Sequence, residues 1–359
     1  MKIQILLKKT SEWLNGKGPE ADLVISSRIR LARNLHGYRF PWKADKKEKK
    51  KIRELVEGSA GHTSAIRDGS LFISIDDLDE IDRQFLVERH LISPELAASK
   101  TGSSVVISKN ESVSIMVNEE DHIRMQVMSS GLQLFDVWQT INELDSELEK
   151  EPEYAYSSKF GYLTVCPTNV GTGIRVSVML HLPALVYTKQ INKVLQATVK
   201  LGLAVRGLYG EGSEALGNLF QISNQATLGM SEMEIIENIS KVIRQVITYE
   251  RNQRRYLINH NLKEVEDKVY RAFGILTNAR IINSKETIGH LSTLRMGIDL
   301  GILDAHYRKK VNELMIISQP AHLQKSLDRV LNSVERDVER ATLIRQTLKI
   351  SKSSHEMKG

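Results

Sequence analysis

Apolar residues along the chain change their spacing, and the change predicts two structurally different regions. Over residues 105–118 they alternate with polar ones in VVIS and VSIMVN, which flank a turn at residues 109–111. Alternation with period two is typical of half-buried strands, so this segment is predicted to form an antiparallel hairpin. Further strands are predicted over residues 174–182, 202–209 and 217–222, with helices over 132–150 and 189–200. The pattern predicts an α+β region with a sheet and helices sharing one core.

After about residue 230 the strand signals end and the spacing becomes helical. A long amphipathic helix is predicted first, with apolar positions at Ile235, Ile236, Ile239, Val242, Ile243, Val246 and Ile247. Further helices are predicted over residues 262–276, 284–300, 304–317 and 320–348. The last is predicted to begin near Pro320, which suits a first helical turn. Its predicted buried stripe comprises Leu323, Leu327, Val330, Leu331, Val334, Val338 and Ala341.

These patterns divide the chain into three parts. Residues 1–21 are predicted to be an irregular lead-in, residues 22–254 an antiparallel sheet flanked by helices, and residues 255–359 an all-helical C-terminal domain. A length of 359 residues suits two domains with ample cores. The hydrophobic fraction of 41% and the charged fraction of 26% are those of an ordinary globular protein.

The charge is unevenly distributed. The chain carries 50 Lys and Arg against 44 Asp and Glu, a formal charge of +6. Residues 1–53 hold 15 basic and 5 acidic side chains (+10), which leaves −4 for residues 54–359. A uniformly basic coat for nucleic acid is therefore excluded, and no direct nucleic-acid partner is expected. We interpret the lysine-rich run at residues 43–53 as a solvated helix face.

Cysteine usage and hydropathy bear on the compartment. Cys166 is the single cysteine, which excludes an internal disulfide and fits a reducing environment. No stretch of about 18 apolar residues is present to span a bilayer, and the N-terminal IQILL is too short for the apolar part of a signal peptide. We therefore expect a cytoplasmic protein with no membrane partner.

Candidate chemistry lies in short segments that combine arginine, glycine and acid, because the Walker A loop and paired zinc-binding cysteines are absent. In SSRIR, Arg28 and Arg30 face the same side of an extended strand, although surface arginines show the same spacing. In NEEDHIR, residues 118–124, three consecutive acids follow an apolar strand. Such acids repel one another unless cations lie opposite, although a solvated turn explains them equally well.

Two further segments contain glycine beside charged residues. In CPTNVGTGIR, residues 166–175, Gly171 and Gly173 allow close approach of the backbone to a ligand before Arg175 begins the next strand. By itself the cysteine of this segment is equally a small buried apolar residue. RGLYGEGSE, residues 206–214, is typical of a flexible loop, which closes over a substrate in some proteins and only turns a corner in others.

Together these segments supply five arginines, two separate carboxylates and one thiol. Arginine forks bind phosphate oxygens bidentately and stay protonated, which suits a polyphosphate such as ATP. Carboxylates beside them suit a positively charged second substrate, and phosphoryl transfer needs mainly positioning and charge neutralisation. The residues therefore indicate ATP on arginines and an organic cation on glutamates.

NEEDH, CPTNVGTG and SSRIRLARNLHGY in this chain resemble the catalytic domain of the phosphagen (guanidino) kinases, from about residue 22 to about residue 254. The resemblance implies that Glu120 and Glu211 grip the target guanidinium, with Cys166 beside the reacting nitrogen. It implies Mg²⁺ held mainly by phosphates and water, with no protein metal ligands. It implies nucleotide contacts from Ser27, Arg28, Arg30, His90, Arg124, Arg175 and Arg206.

The chain departs from that family in two ways. Metabolic members carry a helical domain of about 100 residues before the SSRIR-like strand, whereas about 27 residues precede Arg28 here, and a helical region follows the catalytic domain. Both departures resemble the bacterial protein-arginine kinases of the heat-stress response. That resemblance implies phosphorylation of exposed arginines in proteins, marking them for a Clp unfoldase and protease.

The same resemblance implies partners and regulation. It implies a zinc-binding activator protein and a heat-shock repressor as partners, and a homodimer is expected from the helical domain. An R-D-x-x-R-A motif, here Arg336, Asp337 and Arg340, is implied to bind phosphoarginine allosterically. Two arginines at i, i+4 lie on one helix face and suit a phosphoryl group, although an exposed helix with salt bridges has the same pattern.

Two alternatives remain open at this point. One is a small-molecule guanidino kinase, which uses the same chemistry on free arginine or a creatine-like compound. The other is a catalytically inert regulator that binds DNA or a repressor through its basic N-terminal part, against which the intact set of arginines and glutamates argues.

Overall fold

The structure is a computed structural model that describes residues 3–7, 10–67, 69–99, 101–207 and 216–349. Its strands form one eight-stranded sheet in the order β2-β3-β4-β5-β1-β8-β10-β9 and a separate ribbon of β6 and β7, with all neighbours antiparallel. The strands are β1 (Val24–Arg33), β2 (Leu71–Ser74), β3 (Ser104–Ile107), β4 (Val113–Val117), β5 (Ile123–Ser130), β6 (Tyr156–Ser157), β7 (Gly161–Tyr162), β8 (Ile174–His181), β9 (Leu203–Arg206) and β10 (Leu219–Asn224). The predicted α+β class and the predicted hairpin, β3 with β4, are confirmed.

The described helices are interspersed with strands as far as β10, and from α8 onwards they follow one another with no strand between them. They are α1 (Gln4–Leu7), α2 (Lys46–Gly61), α3 (Glu80–Glu88), α4 (Pro94–Ala97), α5 (Leu134–Leu148), α6 (Pro183–Tyr187), α7 (Ile191–Lys200), α8 (Glu232–His260), α9 (Leu262–Asn278), α10 (Ser284–Asp299), α11 (Tyr307–Ile317), α12 (Pro320–Leu327) and α13 (Ser333–Leu348). In the described part of the chain, no helix is long and apolar enough to cross a membrane.

The two faces of the sheet differ in chemistry because side chains alternate along each strand. On β1, Ile29 and Leu31 are fully buried in a core shared with α2, α5 and α8. Arg28 and Arg30 alternate with them and therefore lie on the opposite face. Helix α2 carries the lysine run, and its Ile52 enters the core while most of its lysines are exposed, as expected for a solvated helix face.

The C-terminal helices α9, α10, α11 and α13 share a second core, but the single helix predicted over residues 320–348 is wrong. Helix α12 ends at Asp328, which has a left-handed φ of 52°, and α13 begins only after Asn332. The side chain of Asn332 caps α13 through the N–H of Glu335, and this start signal competes with continuation of α12. The predicted buried stripe fails as a result, since Val330 and Val334 are 79% and 63% exposed.

The boundaries between the predicted parts also differ in detail. Helix α8 runs unbroken across residue 255, and the chain turns at Asn261. The N-terminal part is not an irregular lead-in, because Trp13 and Leu14 form a short 3₁₀ turn and are buried at 3% and 5% exposure in the core of the C-terminal helices. Its apolar side chains link the sheet to those helices.

Polar contacts also join the sheet to the C-terminal helices. Arg295 of α10 is 1% exposed and donates to the carbonyl of Ala21 at 2.6 Å. His181 at the end of β8 lies 2.9 Å from the hydroxyl of Ser292. The helical region is therefore tied to the sheet through buried groups rather than through a flexible tether.

Candidate active site

Five arginines from four strands meet on the face of the sheet opposite the core. On β1, Arg30 lies directly opposite Arg175 of β8, and Arg28 is two residues away on the same face. Arg124 enters from β5 on the other side of β1. Arg206 of β9 lies opposite Gln221 of β10 in the sheet. The side chain of Gln221 accepts a hydrogen bond from Arg28, so Arg206 lies on the same face. We call this surface the arginine face, and it comprises Arg28, Arg30, Arg124, Arg175 and Arg206.

Arg28 and Arg175 each donate hydrogen bonds to neutral side chains on this face. Arg28 Nη2 donates to Gln221 Oε1 at 2.7 Å and its Nε to Ser177 Oγ at 3.3 Å. Arg175 Nη2 donates to Ser223 Oγ at 3.4 Å. These neutral partners help to orient the two guanidinium groups.

Burial and mutual repulsion make the charge on this face costly. Burial, and then the charges of Arg124 and Arg175, lower the pKa of Arg28 to about 10. Burial and the neighbouring arginines also lower the pKa of Arg30 well below its usual value, and within the described residues its Nε is buried without a hydrogen-bond partner. A polyanion bound here would supply both the missing charge and the missing acceptors.

Arg124 has an acidic partner that the sequence did not single out. It pairs with Glu119, whose side chain is 1% exposed and also accepts from the hydroxyl of Ser93. The feature that could have indicated this ion pair is the short connection between β4 and β5, which is closed by a hydrogen bond from Asn118 N to His122 O at 3.0 Å. Residues 119 and 124 flank that connection and are therefore neighbours in space.

Beyond this pair lies an acidic cleft with a volume of about 870 Å³. Glu95, Glu119, Glu120 and Arg124 line it, together with Trp42, which is 67% exposed. Burial, and then the nearby carboxylates of Asp121 and Glu119, raise the pKa of Glu120. A bound cation would relieve this repulsion, so the cleft suits a positively charged group.

The remaining residues of NEEDH hold the cleft in place. Asp121 Oδ1 accepts from Asn34 Nδ2 at 2.6 Å and from Val165 N at 2.8 Å. His122 Nδ1 accepts from Leu35 N at 3.0 Å. These buried bonds attach the NEEDH turn to the end of β1 and to the segment that carries the cysteine.

Cys166 directly follows Val165, which lines the acidic cleft. The thiol is partly exposed, and its sulfur lies 3.0 Å from Thr168 Oγ1. Gly173, with a φ of 66°, then passes so close to β1 that a Cβ would lie 2.6 Å from the carbonyl oxygen of Ala32. The CPTNVGTG segment thus begins next to a residue that lines the cleft and leads to Arg175 on the arginine face.

Comparison with known proteins agrees with this geometry. Residues 51–253 match the family described as ATP:guanido phosphotransferase, C-terminal catalytic domain. The chain belongs to the ATP:guanido phosphotransferase family. Residues 262–358 match the Protein-arginine kinase McsB C-terminal domain. The resemblance seen in the sequence is therefore confirmed.

Individual relatives support the assignment to the ATP:guanido phosphotransferase family. Protein-arginine kinases from Bacillus cereus (strain AH187) and Bacillus anthracis are each 48% identical over 351 residues, covering 98% of this chain and 99% of the relative. A taurocyamine kinase from Schistosoma mansoni is 27% identical with a TM-score of 0.59, covering 68% of this chain and 35% of that one. A lombricine kinase, 23% identical with a TM-score of 0.57 and covering 68% and 71%, supports the fold.

Two of the predicted ATP:guanido phosphotransferase site residues, Ser27 and His90, have distinct placements. The hydroxyl of Ser27 faces away from the arginines, donating to Gly131 O at 2.8 Å and accepting from Gln133 N at 3.0 Å, so this side chain supports the core face. His90 lines a mainly apolar pocket beside Arg28, and burial lowers its pKa to about 3. Glu211 lies outside the described residues.

The predicted phosphoarginine residues lie on α13. Arg340 is 1% exposed, and its guanidinium donates to Ser318 O at 2.8 Å, to Ile282 O at 2.9 Å and to Asp337. Arg336 Nη1 donates to Leu331 O at 2.8 Å. Arg340 is therefore largely committed to holding α13 against its neighbours, which the i, i+4 pattern alone did not indicate.

Proposed function

We propose that this chain transfers the γ-phosphoryl group of ATP to arginine side chains in proteins. The observation that carries the proposal is the direct contact between two oppositely charged regions, the arginine face and the acidic cleft. Arg124 belongs to both, because it lies among the arginines and pairs with Glu119 in the cleft. A triphosphate on one side and a guanidinium on the other would meet at this residue.

The triphosphate of the nucleotide would bind to the arginine face. The buried Nε of Arg30 would donate to a phosphate oxygen, and Arg28 lies between Arg30 and an adjoining apolar pocket. The adjoining pocket, lined by Trp13, His90 and Met315, has a volume of about 30 Å³, which is too small to enclose a purine base. Mg²⁺ would arrive with the nucleotide, bound by phosphate oxygens and water.

The acidic cleft would prepare the acceptor. A free guanidinium is protonated and a poor nucleophile, so a carboxylate must orient it and take its proton as the bond to phosphorus forms. Glu120 supplies that carboxylate, and its raised pKa brings it closer to the ideal for a base. One guanidinium nitrogen bonds to the γ-phosphorus, the bond to the ADP oxygen breaks, and the proton moves to Glu120. The family resemblance supports the further proposals that Cys166 acts beside the same nitrogen and that Glu211 also grips the guanidinium.

The open cleft favours arginine on a protein over free arginine. Its rim carries the exposed side chain of Trp42, and its volume of about 870 Å³ exceeds the space that one side chain fills. The relatives named protein-arginine kinase cover 98% of this chain, including the C-terminal helices. We therefore favour a protein substrate over the small-molecule alternative.

The C-terminal helices would sense the product. Asp337 retains 27% side-chain exposure, and Arg336 lies one residue before it on α13, so both are accessible to a phosphoarginine side chain. The family resemblance supports the further proposals of a cytoplasmic role in marking proteins for a Clp protease. It likewise supports a zinc-binding activator, a heat-shock repressor as a partner, and a homodimer.

Mass spectrometry at neutral pH, which preserves the acid-labile N–P bond, tests the proposed function. A folded protein with exposed arginines is incubated with the chain and MgATP, and phosphoarginine is expected on that protein. The matched control is Glu143→Ala, an exposed carboxylate on α5 on the core side of the sheet, which should retain full activity. Absence of phosphoarginine with the wild-type chain would contradict the proposal.

A further inference from the structure

The turn that ends α3 is held from the C-terminal region. Glu88, the last residue of α3, is 2% exposed, and its carboxylate accepts from Ala321 N at 2.9 Å and from His322 N at 3.0 Å. His322 Nδ1 lies 3.0 Å from the same carboxylate. The first N–H groups of a helix lack partners within it, and the helix dipole favours a negative charge there. Glu88 thus caps α12 from the catalytic domain.

The next residue, Arg89, anchors the turn on its other side. Its guanidinium donates twice to Glu111, at 2.8 and 2.6 Å, and once to Ser11 Oγ at 3.0 Å. Arg89 and Glu111 are 3% and 2% exposed, so the pair is buried. Two consecutive side chains therefore fix this turn against different parts of the molecule.

His90 follows in a conformation that requires such support. Its φ of 58° is left-handed, which costs a residue with a Cβ about 1 kcal/mol. Its carbonyl accepts from Gln126 Nε2 at 2.5 Å, and Gln126 lies opposite Arg30 in the sheet. Its ring packs edge-on against Trp13, with ring centroids 5.2 Å apart, in the pocket next to Arg28. The position of His90 in the pocket therefore depends on the turn before it.

The start of α12 is also held by α13. Arg340 donates to the carbonyl of Ser318, two residues before Pro320 at the start of α12. Contacts therefore run from α13 to the start of α12, then through Glu88 to His90, with no solvent-exposed link among them.

We propose that Glu88 is a positioning residue that couples the start of α12 to nucleotide binding by holding the His90 turn. This inference rests on the proposed nucleotide site. Coupling between two sites is reciprocal, so bound nucleotide strengthens the bonds from α12 to Glu88 as much as those bonds strengthen nucleotide binding. Glu88 itself touches neither the phosphates nor the cleft.

Calorimetric titration with MgADP measures the coupling without catalysis. Glu88→Ala is expected to raise the Kd for MgADP at least about fivefold, the lower end of usual coupling between sites. At saturating ATP, kcat should change by less than about twofold, because the groups that act only in transfer are untouched. Glu88→Gln keeps the size and one acceptor oxygen, and should restore part of the affinity.

Asp82→Asn is the matched control. Asp82 pairs with Lys325 and also ties α3 to α12, but away from the His90 turn. If Glu88 only held α3 against α12, Asp82→Asn and Glu88→Gln should raise the Kd for MgADP equally. The proposal instead predicts a Kd for Asp82→Asn within about twofold of the wild-type value.

Hydrogen exchange in the wild-type chain tests the effect of the nucleotide on the start of α12, and this test does not require any variant to fold. MgADP should slow exchange at the amides of Ala321 and His322, and Glu88→Gln should weaken this protection. Unchanged exchange there on MgADP binding, or equal Kd values for the wild type and Glu88→Ala, would overturn the coupling. Failure of the wild-type chain to bind MgADP would instead contradict the proposed function.

Discussion

The arginine face and the acidic cleft lie on either side of Arg124 with opposite charges, and each brings like charges close together. On the face, burial and like charges lower the pKa of Arg28 to about 10. In the cleft, burial and neighbouring acids raise the pKa of Glu120. The ion pair of Arg124 with Glu119 is the contact that the two regions share. Each region therefore disfavours its own charge until a substrate of opposite charge binds.

Arg340 shows the contrasting arrangement. It is 1% exposed, whereas the arginines of the face are half-buried, and carbonyl oxygens of Ser318 and Ile282 and the carboxylate of Asp337 surround it. A buried arginine with complete partners supports the fold, because removing it leaves acceptors without donors. An arginine whose buried Nε lacks a partner within the described residues, such as Arg30, instead indicates a ligand.

The largest effect is expected in the acidic cleft. Glu120→Ala should lower phosphoryl transfer by about 10³-fold, since it removes the group that orients and deprotonates the guanidinium. MgADP binding by the same variant should remain unchanged, because the arginine face is intact. Phosphoarginine formation and calorimetry measure the two properties. Parallel loss of both would show that the two regions are not separate.

Arg340→Met should destabilise the chain by about 3 kcal/mol, since it leaves two buried carbonyls and Asp337 without their donor. Denaturant unfolding measures the loss, and Arg345→Met serves as the comparison at a partly exposed position on the same helix. An unfolding free energy equal to that of the wild type would show that Arg340 is not a structural arginine.

Arg30→Met is expected to weaken nucleotide binding rather than stability, in contrast to Arg340→Met. Losing a charge-assisted contact to phosphate should raise the Kd for MgATP by about 10- to 100-fold. Stability without nucleotide should stay equal or rise, because a buried charge beside Arg175 and Arg28 is removed. Calorimetry and thermal unfolding report the two values. A stability loss as large as that of Arg340→Met would refute the distinction between the two kinds of arginine.

The smallest effect concerns Glu120 and pH. When the pKa of a carboxyl is raised in the folded state, the folded state binds the proton more tightly than the unfolded state. The free energy of unfolding of the protein therefore falls as pH rises from the unfolded pKa to the folded pKa. Above that interval the penalty is complete, so Glu120→Gln should unfold at a slightly higher temperature than the wild type at pH 7.5. The difference should disappear near pH 3, where both forms are neutral. A lower Tm for Glu120→Gln at pH 7.5 would contradict the raised pKa.

Much of the fold and of the site was predictable from local patterns. Period-two spacing identified the strand pair β3 and β4, and the motif segments identified all five arginines of the face by their place on or beside strands. The strand register that sets Arg30 opposite Arg175 depends on pairings between residues more than 140 positions apart, which spacing along the chain does not contain. The roles of the remaining predicted site residues stay predictions.

Other features depended on tertiary contacts. Glu119 looked like its neighbours in NEEDH, and only the tight connection between β4 and β5 gives it Arg124 as a partner. The buried stripe predicted across residues 320–348 failed because Asn332 starts a new helix. Trp13 showed no periodic context, although it fills a space between sheet and helices.

The most direct test offers both acceptors at once. A folded protein with exposed arginines and an equal concentration of free arginine are incubated with the chain and MgATP, and ³¹P NMR is recorded on the separated protein and small-molecule fractions. The account predicts an N-phosphoryl signal in the protein fraction that is lost with Glu120→Ala. A signal confined to free arginine, or no signal in either fraction, would contradict it.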